Sequence, residues 1–263
     1  MALCRIGTSG WQYDEWRGAF YPAEIARARW LEHYASRFAT VEVNNAFYRL
    51  PETRTFASWR ERTPEDFQVA LKASRFLTHV KRLRDPEEPV ARLLERCRAL
   101  QDKLGPILLQ LPPTLPADLG ALAATLAAFP PDIRVAVEAR HESWFSPATE
   151  QLLAEHGAAY CLSDTVGGRA PRWCTAEFAY LRFHGGTGRP RPCYRPSALA
   201  QWAEWLAGAL GRDAEAFVYF NNDGAGCAPR DAVRFAAAAQ RVGLAITRTP
   251  APSDVPLVGR RAR

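Results

Sequence analysis

Short, β-prone apolar runs alternate with segments of helical period along the whole chain, and no other feature constrains the fold as strongly. Eight runs read as strands: Cys4–Thr8, Thr40–Asn44, Phe67–Lys72, Ile107–Leu111, Arg134–Glu138, Ala159–Ser163, Phe178–His184 and Ala216–Asn221. Helical patterns fall between most of them, over Ala23–Phe38, Thr53–Arg62, Glu87–Leu104, Ala117–Phe129, Ala148–His156, Ser197–Leu210 and Arg230–Val242. Strands joined through helices run parallel, because each connection must cross over to start the next strand at the same end. Eight such units in 263 residues predict an α/β fold, a single (β/α)8 TIM-type barrel of eight parallel strands. The stretch Asp164–Glu177 holds Gly167, Gly168 and Pro171 but no helical period, so helix 6 is expected to be missing or reduced. The barrel domain is expected over residues 1–248, with residues 249–263 a basic, poorly packed tail. A doubly wound open sheet is the alternative, and the lack of a GxGxxG turn after the first strand weakens it.

Composition narrows the function classes. With 48% hydrophobic residues the chain can bury a large core, and no apolar run approaches the roughly 20 residues of a membrane span. The N-terminus lacks the basic start and apolar stretch of a signal peptide, so a cytoplasmic protein without a membrane partner is expected. The six cysteines (Cys4, Cys97, Cys161, Cys174, Cys193 and Cys227) form no CxxC pair and are expected to be reduced thiols. The net charge of +6 favours anionic partners where basic residues cluster: around His79 (Arg75, Lys81, Arg82, Arg84), at Arg189, Arg191 and Arg195, and at Arg260, Arg261 and Arg263. A merely solvated, arginine-rich surface explains the same charge equally well.

In a barrel the loops after the strands build the active site, so polar residues at strand ends carry the most information. The turn after the first strand offers Ser9, Trp11 and Tyr13. The period of two sets Glu42 and Asn44 on one face of the second strand, Lys72 on the third, Glu138 and Arg140 on the fifth, and Arg182 and His184 on the seventh. Gln110, Asp164, Asn221 and Asn222 complete a polar ring. Its structural explanation is mutual neutralisation of Glu42, Glu138 and Asp164 by Lys72, Arg140 and Arg182. Against that, buried ion pairs contribute little net stability, and a barrel can be filled with Val, Ile and Leu. His33 and His156 fall in helices, whereas His79, His141 and His184 follow strands, with Trp144 close behind His141. No HxH or HExxH spacing and no GxSxG elbow occurs, so neither a metal nor a serine nucleophile is expected.

These residues resemble, in order and over nearly the whole chain, the family known as domain of unknown function 72, the YecE-like proteins. The resemblance rests on Gly7-Thr8-Ser9-Gly10-Trp11, Phe20-Tyr21-Pro22, Val41-Glu42-Val43-Asn44, Phe47-Tyr48-Arg49-Leu50-Pro51, Lys72-Ala73, Thr78-His79 and Gln110-Leu111-Pro112-Pro113. It continues through Val137-Glu138, Arg140-His141, Trp144, Tyr180-Leu181-Arg182-Phe183-His184-Gly185, Tyr194 and Phe220-Asn221-Asn222. It implies a TIM-type barrel and no defined activity.

The leading expectation is a metal-independent hydrolase or lyase acting on an anionic, phosphate-containing substrate. Glu42, Lys72, Glu138, Asp164 and His184 are the catalytic candidates. Ser9, Trp11, Tyr13, Asn44, His79, Gln110, Arg140, His141, Trp144, Arg182, Tyr194, Asn221 and Asn222 are the substrate-binding candidates. No cofactor is expected beyond a bound phosphate or similar anion. Two alternatives stand beside it: a carbohydrate-active enzyme using Glu42 and Glu138 as paired carboxylates, and a nucleic-acid or phospholigand binder without turnover.

Overall fold

The computed structural model describes residues 1–164 and 170–257. Nine strands form: β1 (Leu3–Thr8), β2 (Thr40–Val43), β3 (Gln68–Lys72), β4 (Leu104–Gln110), β5 (Val135–Glu138), β6 (Ala159–Ser163), β7 (Phe178–Phe183), β8 (Glu215–Phe220) and β9 (Ala245–Ile246). Hydrogen-bonded neighbours run in the order β2-β3-β4-β5-β6-β7-β8-β1-β9. The helices are α1 (Trp30–Arg37), α2 (Asn45–Tyr48), α3 (Thr53–Glu61), α4 (Glu87–Cys97), α5 (Leu119–Ala127), α6 (Pro147–Glu155), α7 (Pro196–Ala209) and α8 (Cys227–Arg241). The chain divides into two compact units, the first of residues Met1–Val41, Thr63–Phe67 and Leu181–Arg263, the second of Glu42–Arg62 and Gln68–Tyr180.

In the first unit β1 pairs in parallel with β8 without a break, from Leu3 opposite Glu215 to Thr8 opposite Phe220. Arg5 and Glu215 add a 2.8 Å ion pair across the same two strands. The other edge of β1 takes the two-residue β9, too short a segment to show a strand period in the sequence. Under β7 and β8, Phe183 stacks on Phe220 at 4.8 Å, and Phe235 of α8 closes on both.

The expected closed ring of eight strands gives way here, since β1 and β2 are not ladder neighbours among the described residues. One side chain bridges the two strands instead. The buried Tyr34 hydroxyl accepts from the Thr8 amide at 2.9 Å and from the Thr8 hydroxyl at 2.9 Å, and donates to the Thr40 carbonyl at 3.0 Å. A phenol thus occupies the place of a backbone ladder bond. Gly7 permits the approach, because a Cβ at that position would run into the Thr40 carbonyl.

In the second unit β3, β4, β5 and β6 are parallel neighbours, with Lys72 opposite Leu108, Gln110 opposite Glu138 and Val137 opposite Tyr160. Parallel register gathers the polar ends of these strands on one side. Beneath β3, the Lys103 ammonium donates to the Arg60 carbonyl at 2.6 Å.

Four expectations need correction. The helix expected over Ala23–Phe38 is confined to Trp30–Arg37, because Pro22–Ile25 closes a turn and Arg27–Arg29 is a 3-10 turn. The pattern Glu87–Leu104 breaks at Arg98 into a 3-10 stretch with Gln101 at φ 54°, which ends the helix and launches β4. Cys193 and Cys227 form a disulfide, so these two are not thiols. Their separation of 34 residues has no spacing signature to betray it. The start of the basic tail is packed, with Val255 buried and Asp254 bonded to Arg37 at 2.8 Å. Of the stretch expected to lack a helix, residues 165–169 lie outside the described residues, as do Arg260, Arg261 and Arg263; residues 170–177 carry no helix. No helix among the described residues is long and apolar enough to cross a membrane.

Candidate functional site

Each unit carries some of the polar side chains expected at the strand ends. In the second unit, β2 presents Glu42, fully buried, whose carboxyl oxygen accepts from the Tyr180 hydroxyl at 2.7 Å. The Lys72 ammonium at the end of β3 donates to the Gln110 side-chain oxygen at 2.7 Å and sits 4.1 Å above the Phe47 ring. At the end of β5 the wholly buried Glu138 accepts from Arg140 Nε at 2.8 Å. That bond fixes the guanidinium plane and leaves both terminal nitrogens of Arg140 without a hydrogen-bond partner among the described residues.

His79 lies against the same Phe47 ring as Lys72. It closes a single π turn, Phe76–Val80, packs edge-on against Phe47 at 4.9 Å, and shares a 2.9 Å hydrogen bond with the Thr78 hydroxyl through Nδ1. Partial burial holds its pKa below the ordinary imidazole value, and the positive charges of Lys72, Arg75 and Arg140 push in the same direction. The ring is therefore neutral near pH 7, amid three cations. The buried side-chain oxygen of Asn44, just past β2, has no partner among the described residues. Tyr160 on β6 has its pKa raised, first by burial and also by the Glu138 charge. Asp164, directly after β6, is half-buried.

Two other candidates of this unit make contacts within the scaffold. Trp144 is fully buried with its indole N–H on the Leu115 carbonyl at 2.9 Å, so it offers no face to a ligand. His141 caps a 3-10 turn, its Nδ1 accepting from the Ser143 amide.

The first unit holds the rest. His184, after β7, shares a 3.1 Å hydrogen bond with the Asn221 side-chain amide through Nδ1. Arg182 is buried, and Ser9 donates its backbone N–H to the Phe220 carbonyl. Trp11 is buried as well, so it is no open stacking surface, while half-buried Tyr13 packs on Trp16 at 4.7 Å. Asn222 and Tyr194 converge on Asp231. The Asn222 side chain donates to its carboxylate at 2.9 Å and the Tyr194 amide at 2.8 Å, while the Tyr194 hydroxyl accepts from the Gly185 amide. These bonds pin the connection after β7, which the disulfide also ties to α8.

Sequence reasoning missed Tyr180, Phe47 and Asp231. The period of two that joins Arg182 to His184 would have reached Tyr180 one step earlier on the same face. Phe47 and Asp231 lie on helices, where a strand-end search does not look. Among the described residues no three His, Cys, Asp or Glu side chains are grouped as a metal ion needs.

A model described as "Protein of unknown function DUF72" matches residues 5–254. The chain belongs to the DUF72 family. Among curated relatives of this DUF72 chain, the UPF0759 protein YecE of Escherichia coli K12 is 31% identical over 153 residues, 58% of this chain and 54% of YecE. The chain thus spans about half the length of that relative. The UPF0759 protein YunF of Bacillus subtilis is 28% identical over 254 residues, covering 84% of this chain and 89% of YunF. Among solved structures, a DUF72 family protein of Thermotoga maritima superposes with a TM-score of 0.77 at 28% identity, covering 89% of this chain and 98% of its own. A DUF72 family protein of Enterococcus faecalis, at 21% identity and TM-score 0.74 over 90% of this chain and 95% of its own, shares the fold.

Proposed function

We propose that the strand-end group of the second unit binds a small phosphate-bearing molecule and acts on it as a metal-independent hydrolase or lyase. The observation that carries this reading is the guanidinium of Arg140 held through Nε by Glu138, in the same unit as the Lys72 ammonium and the His79 ring, which both pack on Phe47. Arg140 is paired with Glu138 through Nε alone, and an anion placed beside neighbouring cations gains attraction from each of them. Glu138 is spent in orienting Arg140, whose two terminal nitrogens remain available as a planar fork suited to phosphate or carboxylate oxygens. Lys72, oriented by Gln110 and Phe47, supplies the second positive contact. His79, neutral at pH 7, can take a proton from an attacking water or from a carbon beside the leaving group.

Glu42 and Glu138 are fully buried and bonded to Tyr180 and Arg140. They fit positioning roles better than the paired exposed carboxylates a glycosidase needs. Calorimetric titration with glucose 6-phosphate and with inorganic phosphate tests the reading, followed by an assay for phosphate release or elimination across phosphorylated sugars. Lys72→Met and Arg140→Gln should each weaken binding about tenfold or more, which corresponds to about 1.4 kcal/mol. Unaltered affinity in both folded variants would sink the proposal. Binding that falls steeply with salt and yields no product would leave a phospholigand or nucleic-acid binder without turnover.

A further inference from the structure

A cavity of about 390 Å³ opens in the second unit between the segment after α2, the π turn and α4. It is separate in composition from the strand-end group, since none of Lys72, His79 and Arg140 lines it. Its floor is apolar: Ala73, Leu77 and Leu93 are buried side chains that contribute to its lining. Phe76 forms part of the wall and is 45% exposed, an uncommon position for a large aromatic side chain.

The walls are built rather than incidental. Arg96 donates to the carbonyls of Leu50 and Pro51 at 3.1 and 3.4 Å and pairs with Glu52 at 3.1 Å, so α4 holds that lining segment in place. The π turn faces Leu77 inward and Phe76 outward, and single π turns of this kind are frequent at functional sites. The side chains of two further arginines in the lining, Arg49 and Arg92, have no ion-pair or hydrogen-bond partner among the described residues. An apolar floor with an aromatic wall and two uncommitted guanidinium groups at the rim matches one ligand chemistry.

We propose that this cavity is a second ligand site, for a small molecule that joins a flat apolar ring to one anionic group such as a carboxylate or sulfonate. The ring lies against Phe76 over Leu77 and Leu93, and the anion meets Arg49 and Arg92. Glu88, also in the lining, disfavours ligands carrying several negative charges and so separates this site from the phosphate-binding group.

The probe is 8-anilinonaphthalene-1-sulfonate, a flat apolar anion, titrated into the full chain by fluorescence and by calorimetry to fix the stoichiometry. One saturable site is expected, weakened tenfold or more in the double variant Arg49→Glu/Arg92→Glu and blocked in Ser74→Trp, where the indole fills the cavity. Benzoate should compete for it. Lys72→Met and Arg140→Gln should leave the probe's affinity unchanged, so failure of the phosphate reading and failure of this one are told apart. Probe binding that persists in Arg49→Glu/Arg92→Glu, or the absence of any saturable site in the native chain, would overturn the proposal. Both arginines are exposed, so their replacement leaves the core intact.

Discussion

His79 is the residue whose titration reports most directly on its surroundings. Its depressed pKa means that the unfolded chain binds a proton more readily than the folded one between the folded value and the ordinary 6.5. Its contribution to stability is thus fully present above pH 6.5 and lost as the pH falls through that window. Measured by NMR, the imidazole midpoint of His79 should lie below 6.5 and rise in Lys72→Met, because one repelling cation is gone. An unchanged midpoint would refute the electrostatic part of the account. Glu42 supports a second expectation. Tyr180→Phe removes a hydrogen bond from a buried carboxyl group and should cost about 1–3 kcal/mol in denaturant unfolding. Residue-level legibility followed side-chain type. The charged members Glu42, Lys72, Glu138 and Arg140 stand out in a strand pattern, whereas Tyr180 and Phe47 read as core until their polar or cationic partners are known. Trp11 and Trp144 erred the other way, because an aromatic after a strand looks like a binding surface whether or not anything covers it.

Among the elements, the seam between β1 and β2 is the most exposed to mutation. Tyr34→Phe deletes the hydroxyl that serves the Thr8 amide and the Thr40 carbonyl, leaving both buried groups in need of partners. A loss of about 1–3 kcal/mol is expected, with faster amide hydrogen exchange at Thr8 than in the paired body of β1. Gly7→Ala should cost a similar amount, about 1–3 kcal/mol, through its clash with the Thr40 carbonyl, and a neutral result in thermal unfolding would show that the seam can open without penalty. The sequence announced eight of the strands and seven of the helices because apolar period and turn residues are local signals. It could not announce β9, which rests on pairing with β1, or the substitution of a phenol for a ladder bond, which depends on residues 26 positions apart. Helix ends failed where 3-10 turns intervene, at Arg27–Arg29 and Arg98–Lys103, since these turns keep an apolar period while changing the hydrogen bonding.

For the molecule as a whole, the bond between Cys193 and Cys227 is the feature with the widest reach. In the oxidised chain the remaining cysteines are Cys4, Cys97, Cys161 and Cys174. Burial pushes the Cys4 and Cys97 thiols up to about 12, so both should react slowly with alkylating reagents until the protein unfolds. Reduction of the disulfide should lower stability by about 2–4 kcal/mol, read as a fall in Tm on adding a thiol reductant. The bond has a further consequence for cleavage. Helix α7 and strand β8 both lie between the two joined cysteines. A protease that cuts within this stretch makes a nick and releases nothing, and the two pieces travel as a single band until reductant separates them.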